Sequence, residues 1–391
     1  MPDTPDRHHT LRLVADIAEI AAADWDRCAG TANPFVRHAF LRALENSGSA
    51  VGETGWLPQH AVVEDAAGRV CAVAPLYLKS HSFGEYVFDW AWADAYERAG
   101  GRYYPKLQAA VPFTPVTGPR ILVRGDLDPD AQTAARTALA QGLVRIAERH
   151  GVSSLHVTFP EAHEWDLLGR CGYLQRTGLQ FHLRNPGYAS FDEFLGTLTS
   201  RKRKQIKRER REVAEQGIRV HRLVGSDIAA RHWDAFYAFY CATADKRWGV
   251  PYLGGDFFHE LGETMGERVL LVLAEDPQGR PVAGALNLIG DDTLYGRNWG
   301  AAEDHAFLHF EACYYQAIEF AIERGLSRVE AGAQGEHKLQ RGYLPVTTYS
   351  AHWIADPGLA DPVADFVQRE RRAVAEHIAE LNAHSPYKAH V

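Results

Sequence analysis

Residues 330–341 combine the side-chain types that acyl transfer to an amine requires. Such a reaction needs a proton acceptor for the nucleophile and hydrogen-bond donors for the carbonyl oxygen as it becomes an oxyanion. Glu330 or His337 could accept the proton, and Gln334 with backbone N–H groups could stabilise the oxyanion. Lys338 or Arg341 could hold a phosphate or a carboxylate. The alternative interpretation is a glycine-rich turn that carries surface charges.

A second polar group lies upstream, at the start of an amphipathic helix. His305 and His309 are four residues apart, a spacing that can bind a metal on one helical face, but no third ligand accompanies them, and we expect no metal. His309 and Glu311 could contact substrate or simply hydrogen-bond the start of the helix. Arg297 and Trp299 alternate along the preceding strand, so they could line the same cleft or pack in the core.

The first half of the chain contains a long aromatic and acidic stretch. We predict that it forms a substrate-binding wall, and the alternative is a plain packed loop. The chain has no Gly-x-Ser-x-Gly elbow, so a serine hydrolase is not supported. The candidate substrate-binding residues of this stretch are His81, Ser82, Glu85, Tyr86, Asp89, Trp90, Tyr103, Tyr104 and Lys106.

Residues 201–216 concentrate positive charge, although the chain has a formal net charge of −8. A charge run of this kind is commonly a solvated helix. The other interpretation is a surface for the phosphates of a nucleic acid, with Trp248 and Tyr252 available for stacking. The cations assigned to donor binding are Arg201, Lys204, Lys207 and Arg208.

Length and composition limit the class of protein. The 391 residues, 46% hydrophobic and 24% charged, fit a globular protein of about two domains. No apolar run approaches the roughly 20 residues of a spanning helix, so we predict a cytoplasmic protein without a membrane partner. Five scattered cysteines without a CxxC spacing indicate reduced thiols. Neither a Walker motif nor a dinucleotide fingerprint is present, and we expect no tightly bound cofactor.

Two segments of the chain resemble each other, and a duplicated unit would dictate the architecture. Each has a helix that ends at a glycine, a short strand, a Gly-Tyr-Leu motif and then a histidine nine positions after the tyrosine. The landmarks are Gly151, Leu155-His156-Val157, Gly172-Tyr173-Leu174 and His182 in the first copy, and Gly325, Val329-Glu330-Ala331, Gly342-Tyr343-Leu344 and His352 in the second.

The pattern of apolar residues indicates that each repeat is part of a larger domain. Alternating or apolar runs predict a meander of strands in each half, followed by a helix, a strand, a helix and a final strand. A breaker, Asn185-Pro186-Gly187, separates the halves. The predicted strands cover residues 61–64, 70–78, 270–275, 282–289 and 293–299, and the predicted divisions are an N-terminal domain 10–185, a C-terminal domain 186–356 and a helix with tail 357–391.

Several local motifs resemble the FemAB-like, or peptidoglycan-biosynthesis-like, predicted N-acyltransferases, and the similarity covers roughly residues 30–375. The motifs are Asn33-Pro34-Phe35, Gly55-Trp56 with Pro58 and His60, Pro75-Leu76-Tyr77-Leu78-Lys79, His81-Ser82, Gly84-Glu85-Tyr86-Val87-Phe88-Asp89, Tyr103-Tyr104-Pro105-Lys106-Leu107, Pro112-Phe113-Thr114-Pro115, residues 200–204, Gly249-Val250-Pro251-Tyr252-Leu253, His309-Phe310-Glu311 and residues 330–338.

The resemblance implies an α+β fold of two tandem GNAT-like acyltransferase domains, of which the first holds the acceptor. Acetyl-CoA-dependent GNAT enzymes hold the pyrophosphate on an Arg/Gln-x-x-Gly-x-Gly/Ala loop. Here residues 299–305 contain one glycine and two acids instead. Fem-type ligases likewise lack that loop and take an aminoacyl group from tRNA. The resemblance therefore favours aminoacyl-tRNA over acyl-CoA as the co-substrate without excluding either.

The predicted function is that of an N-acyl or aminoacyl transferase. The acceptor would be an amine of a small peptide-like molecule or cell-wall precursor. Two alternatives stay open at this point. One is an acyl-CoA-dependent GNAT N-acetyltransferase, and the other is a non-catalytic ligand-binding protein of the same fold.

Overall fold

The computed structural model describes residues 9–247, 249–333 and 335–388. The chain forms two compact units that are not continuous in sequence. The first unit ends at Gly178 and takes up Thr348–Ala375, and the second contains Leu179–Thr347 and the segment from Glu376. The sequence pattern places the divisions at residues 185 and 356. The difference arises because two long strands each begin in one unit and end in the other.

Strands and helices are interleaved along the chain. The strands are β1 (Thr10–Val14), β2 (Trp56–Pro58), β3 (His60–Glu64), β4 (Val70–Ala74), β5 (Leu76–Lys79), β6 (Lys106–Ala109), β7 (Leu122–Val123), β8 (Ser154–Thr158), β9 (Leu174–Arg184), β10 (Arg219–Val224), β11 (Val269–Glu275), β12 (Pro281–Ile289), β13 (Thr293–Ala301), β14 (Arg328–Glu330) and β15 (Leu344–Ile354). The helices are α1 (Ala22–Ala29), α2 (His38–Asn46), α3 (Trp90–Arg98), α4 (Pro129–His150), α5 (Ala162–Arg170), α6 (Phe191–Thr197), α7 (Ser200–Glu215), α8 (Ala230–Arg247), α9 (Gly255–Met265), α10 (Leu308–Phe310), α11 (Gln316–Glu323) and α12 (Pro357–Ala383).

The first unit contains two sheets that share an apolar core. One sheet has the strand order β1-β3-β4-β7, and within this unit the other runs β15-β8-β6-β5-β2. Strands β6 and β8 are parallel, and the remaining pairs of both sheets are antiparallel. Helix α4 buries Leu139, Leu143 and Ala147 in the same core as Leu107 and Leu155 of the second sheet. The predicted helix before Gly151 is therefore confirmed as a core helix.

The second unit is built on one sheet with the order β10-β11-β12-β13-β14-β9. Strands β11 to β13 form the predicted antiparallel meander, and β10, which was not predicted, adds to it next to β11. Strand β14 is parallel to β13, and β9 is antiparallel to β14. Helix α11 packs Ile318 and Phe320 against Leu270 and Val329. Between α10 and α11 the helix widens to a π-helical turn over Glu311–Tyr315.

The predicted duplication is confirmed by the order of elements and by the glycine conformations. Gly151 and Gly325 follow α4 and α11 with φ of +62° and +65°, and Gly172 and Gly342 precede β9 and β15 with φ of +89° and +93°. These positive φ values favour glycine because it has no Cβ. The final strands are exchanged, however: β9 pairs with β14 of the second repeat, and β15 pairs with β8 of the first.

Candidate functional site

In the first unit, one face of the sheet β15-β8-β6-β5-β2 is buried but polar. Alternation along each strand sends one set of side chains into the apolar core and the other set onto this face. The register pairs Lys79 with Lys106, Gln108 with His156, and His156 with His352. Polar side chains from four neighbouring strands are thus collected where water does not reach them.

The Lys106 ammonium is the centre of this polar face. It has no exposed surface, and its Nζ donates hydrogen bonds to Ser82 Oγ at 2.8 Å, to Glu85 Oε2 at 2.7 Å and to Asp89 Oδ2 at 2.5 Å. Tyr103 donates its phenol proton to the same Asp89 oxygen at 2.7 Å. A buried ammonium has three protons to donate, and all three find an oxygen here.

Two lysines and two carboxylates of this cluster differ in how firmly they hold their charges, and Glu85 contacts both lysines. Burial lowers the pKa of Lys79 to about 7, and its Nζ lies 3.9 Å from Glu85 Oε1. Burial likewise raises the pKa of Glu85 to about 7. Burial also opposes ionisation of Asp89, but the Lys106 charge holds the pKa of Asp89 well below its usual range. Lys106 and Asp89 therefore form a fixed ion pair, whereas Lys79 and Glu85 titrate near neutral pH.

Two buried histidines continue the polar network. His156 Nδ1 lies 2.6 Å from His352 Nδ1, and His352 Nε2 lies 2.9 Å from Ser350 Oγ. His156 Nε2 is 2.8 Å from Ser154 Oγ and 3.6 Å from Asp89 Oδ2. Burial lowers the pKa of His156 to about 3 and that of His352 well below its usual range. Both rings are neutral at pH 7, so one donates and the other accepts their shared hydrogen bond.

The predicted substrate-binding stretch divides into an inner and an outer set. Tyr104 OH lies 2.8 Å from Ser82 Oγ, which brings it to the inner set around Lys106. His81 lies apart, with Nε2 3.0 Å from the Thr54 carbonyl, while Tyr86 is half-buried and Trp90 is 46% exposed. The inner set is Ser82, Glu85, Asp89, Tyr103, Tyr104 and Lys106.

Sequence reasoning missed Lys79, His156 and His352 as members of this network. The available signal was a polar residue within a buried apolar strand, since His156 stands between Leu155 and Val157.

The structure also argues against one kind of catalysis, in which Lys106 would act as a base that activates Ser82. Burial lowers the pKa of Lys106, but the Glu85 and Asp89 carboxylates outweigh it and raise that pKa, so Lys106 stays protonated.

In the second unit, Glu330 ends β14 as a buried carboxylate with neither oxygen hydrogen-bonded among the described residues. Arg328 Nε and His182 Nδ1 lie 3.3 Å and 3.7 Å from its Oε1. Burial raises the pKa of Glu330 to about 7. A carboxylate in this state is poised to exchange a proton near neutral pH, as a general base must.

Glu164 is a second buried glutamate of the chain, and its hydrogen bonds provide a comparison for Glu330. It is completely buried, and burial raises its pKa to about 7 as well. Its oxygens, however, accept hydrogen bonds from the backbone N–H groups of Arg120, Ile121 and Glu161. Glu164 therefore holds two segments together, whereas Glu330 is buried and receives no such hydrogen bond from the described part of the chain.

Lys338 is the buried cation of the same segment. Its Nζ donates to the Gly332 carbonyl at 2.8 Å, and burial lowers its pKa to about 8. The Lys338 charge also acts on His182. The pKa of the His182 imidazole is lowered to about 3, mainly by burial and further by the charges of Arg328 and Lys338. Lys338, His182 and Glu330 thus belong to one electrostatic cluster.

His337 and Arg341 have different surroundings. His337 is exposed, and Tyr314 OH lies 2.9 Å from its Nε2. Burial of part of the ring, followed by the Arg341 and Lys338 charges, lowers the pKa of His337. Arg341 is buried, donates two hydrogen bonds to Glu209, and lies 3.4 Å above the Phe310 ring. Its guanidinium therefore joins the candidate segment to α7. The predicted oxyanion donor Gln334 lies outside the described residues.

The remaining predicted residues of the second unit flank this segment. Trp299 and His309 pack edge to face at 5.2 Å, and the His309 ring is 6.2 Å from that of His337. Glu311 is buried and accepts hydrogen bonds from Arg210, while Arg297 is half-buried on β13. No group of three or more His, Cys, Asp or Glu side chains in the described part of the chain is arranged to hold a metal.

The predicted basic helix is α7, with its cations on the outside. Its inner face buries Ile206, Val213 and Glu209, and the four predicted donor-binding cations are exposed. Lys207 pairs with Asp192 at 2.9 Å and Arg208 with Glu212 at 3.4 Å. Of the two predicted stacking residues, Tyr252 is half-buried, and Trp248 falls outside the described residues.

The mixed α+β fold is similar to the folds of two solved structures. The structure of FemX has a TM-score of 0.55 and 12% sequence identity, covering 88% of this chain and 98% of FemX. The structure of L-PGS from Bacillus licheniformis has a TM-score of 0.51 and 11% identity, covering 86% and 98%. Comparison with curated proteins gives no sequence match.

The sequence matches the family model FemAB-like, described as peptidoglycan biosynthesis/recognition, over residues 16–389. The chain therefore belongs to the FemAB-like family. In the described part of the chain, no helix is both long enough and apolar enough to cross a membrane.

We expect Lys106→Met to lower the free energy of unfolding by about 3–5 kcal/mol, because it leaves Glu85 and Asp89 buried without their cation. Lys79→Met is the matched control and should cost less, since burial already favours the neutral form of Lys79. Urea denaturation at pH 8 measures both values. Equal losses would show that Lys106 does not organise the cluster.

We expect Glu330→Gln to stabilise the protein progressively as pH rises. Between pH 4.5 and about 7 the folded protein keeps a proton that the unfolded chain has released, so Glu330 destabilises the fold increasingly toward pH 7. The variant should gain on the order of 2 kcal/mol relative to wild type between pH 5 and pH 8 in urea denaturation. Burial raises the pKa of Glu164 to about 7 as well, so Glu164→Gln should gain stability with pH in the same direction. At pH 5, where both glutamates are protonated in the folded protein, Glu164→Gln should be the less stable of the two variants, because Glu164 accepts backbone hydrogen bonds that the amide does not fully replace.

Proposed function

We propose that the protein transfers an acyl or aminoacyl group to an amine of a small peptide-like or cell-wall-precursor acceptor. The observation that carries this proposal is the buried Glu330 carboxylate, which has no hydrogen-bond partner among the described residues and a pKa of about 7. An amine substrate arrives protonated at neutral pH and must lose that proton before it can attack. Membership of the FemAB-like family supports the same reaction class.

In the proposed reaction, Glu330 accepts a proton from the acceptor ammonium. The freed amine attacks the acyl carbon, a C–N bond forms, and the carbonyl oxygen becomes an oxyanion. The Lys338 ammonium, buried and bonded to the Gly332 carbonyl, acts with Arg328 on His182 beside Glu330, and we assign it the stabilisation of this charge. The C–O bond of an aminoacyl ester, or the C–S bond of a thioester, then breaks, and Glu330 returns the first proton to the leaving atom. The attacking nitrogen loses its second proton to solvent, which leaves a neutral amide.

The donor we propose is aminoacyl-tRNA, with acyl-CoA as the competitor. Support comes from α7. The four candidate cations of this helix are exposed, and its Glu209 pairs with Arg341 of the candidate segment. A polyanion bound along α7 would therefore be held close to this segment. The first unit, with its polar cluster around Lys106, is the proposed acceptor-binding unit.

Glu330→Gln should reduce kcat for transfer by about 10²–10⁴, because a positioned general base contributes that factor. The assay follows deacylation of charged tRNAs and acyl-CoAs in the presence of muramyl peptides. Lys338→Met should reduce kcat by about 10²–10³ if Lys338 stabilises the oxyanion. Glu164→Gln is the control for fold damage and should retain kcat in its folded fraction. A folded Glu330→Gln variant with wild-type kcat would exclude Glu330 as the base.

Neutralising the cations of α7 should weaken tRNA binding and flatten its salt dependence. Each lost phosphate contact lowers the log–log slope by about 0.7 to 0.9. The double variant Arg201→Gln/Lys204→Gln should weaken tRNA binding more than the double variant Lys207→Gln/Arg208→Gln. Lys207 and Arg208 already form ion pairs, whereas Arg201 and Lys204 have no carboxylate partner among the described residues. Filter binding over a range of salt concentrations measures the slope. An unchanged slope would leave α7 as a solvated helix and favour acyl-CoA.

A further inference from the structure

Glu209 is the one charged side chain that α7 buries, since the structure describes the whole of this helix and its other charged residues are exposed or half-buried. Both carboxylate oxygens of Glu209 are occupied. Oε1 accepts hydrogen bonds from Gln205 Nε2 at 2.9 Å and from Arg341 Nη2 at 3.1 Å. Oε2 accepts hydrogen bonds from Arg341 Nη2 at 3.0 Å and from the Tyr315 hydroxyl. The helix that carries the proposed donor-binding cations therefore also carries a carboxylate that is fixed inside the second unit.

Arg341 is held in one orientation by four partners. Besides its hydrogen bonds to Glu209, its Nε donates to the Tyr315 hydroxyl at 3.0 Å, and its Nη1 donates to the His337 carbonyl at 3.0 Å. Its Cζ lies 3.4 Å above the centroid of the Phe310 ring. A guanidinium is planar and its N–H groups point in fixed directions, so a single orientation satisfies all of these partners. The ammonium of a lysine could not contact all of them at once.

The carbonyl that Arg341 holds belongs to a 3₁₀ turn, which we call the candidate turn (Glu336–Arg341). Lys338 lies in this turn, and its backbone N–H donates to the Gly335 carbonyl at 3.1 Å. Short 3₁₀ segments have poor hydrogen-bond geometry, so contacts with the rest of the protein help to fix their conformation. The hydrogen bond from Arg341 to the His337 carbonyl is such a contact, and it acts on the residue directly before Lys338.

The ion pair of Glu209 and Arg341 fixes geometry more than it adds stability. Burying two charges costs desolvation energy, and a buried ion pair has little net advantage over apolar side chains of the same volume. Its hydrogen bonds are directional, however, and each oxygen of Glu209 has two donors. The pair therefore restricts where Arg341, and with it the candidate turn, can lie.

We infer that Glu209 is a positioning residue of the candidate site, which holds the candidate turn through Arg341 and thereby places Lys338. Glu209 needs no contact with a substrate for this role, because it acts through the guanidinium. The inference rests on the proposed function only in its effect on turnover, since the conformation of the turn can be measured without a substrate. A second ion pair of α7 offers a matched comparison: Arg210 pairs with Glu319 at 2.9 Å, and both residues lie outside the candidate turn.

The first test is hydrogen–deuterium exchange of the full chain, followed by mass spectrometry. Glu209→Gln leaves one acceptor oxygen and places an amide N–H against a donor, so exchange in peptides that cover residues 335–343 should become about tenfold faster. Glu319→Gln should leave exchange there at the wild-type rate. Peptides from β11 and β12 should exchange alike in all three proteins, which separates lost positioning from general destabilisation. If Glu209→Gln does not fold, Arg341→Lys replaces it, because lysine keeps a cation beside Glu209 but cannot also reach the His337 carbonyl.

The second test is a double-mutant comparison of transfer kinetics. Glu209→Gln should lower kcat by about 10²-fold with little change in KM, because a displacement of about 1 Å at a reacting group can cost this factor. Combined with Lys338→Met, it should lower kcat no further than Lys338→Met alone, since a positioning residue has no effect once the group that it positions is gone. Glu319→Gln should keep the wild-type kcat.

Two results would overturn the inference. One is a folded Glu209→Gln variant with wild-type exchange at residues 335–343. The other is a double variant in which the losses of kcat from Glu209→Gln and Lys338→Met multiply as independent effects. If the wild-type protein turns over none of the donors, the proposed function fails, and the exchange experiment still decides whether Glu209 holds the candidate turn. The two failures are therefore distinguishable.

Discussion

A single buried ammonium organises the polar half of the first unit. Lys106 has no exposed surface, so the cost of desolvating its charge has to be offset by hydrogen bonds to Ser82, Glu85 and Asp89. All three partners come from one loop. That loop must turn its acids inward, and its aromatic rings consequently face outward. Electrostatics, rather than burial of apolar surface, therefore decides the conformation of this loop.

Two buried charges of the second unit, Glu330 and Lys338, lack such charged hydrogen-bond partners among the described residues. Glu330 has no hydrogen-bond partner among the described residues, and Lys338 donates only to a backbone carbonyl within that set. Burial shifts both pKa values toward neutrality. Such groups reduce stability, and under the proposed function they would supply an acid and a base to a substrate, which is a common compromise at reactive sites. Glu164, in contrast, is a buried glutamate with a structural role, and its oxygens accept hydrogen bonds from backbone N–H groups.

The two units illustrate how duplication preserves position while changing chemistry. His156 and Glu330 occupy corresponding places in the repeats, as do His352 and His182. Because the final strands are exchanged, His156 faces His352 across β8 and β15, and Glu330 faces His182 across β14 and β9. The same cross-strand position thus holds a neutral imidazole pair in one unit and a carboxylate beside an imidazole in the other. The scaffold fixes the position, and the side chains fix the chemistry.

The sequence alone determined the repeat, the meander of β11 to β13 and the helix α7, because hydrophobic periodicity and glycine at positive φ are local properties. It also identified the loop at residues 81–89 and the segment at residues 330–341, since their residue types are unusual. Only the tertiary structure decided the strand exchange, the pairing of Lys106 with Glu85 and Asp89, and the burial of Glu330 without a hydrogen bond from any described residue. Those features depend on burial and on contacts between distant residues, such as His156 and His352, 196 positions apart. A sequence does not show how far a charged side chain is removed from water or which groups pair with it in the fold. Desolvation and pairing are the properties in which Lys106 and Glu330 differ.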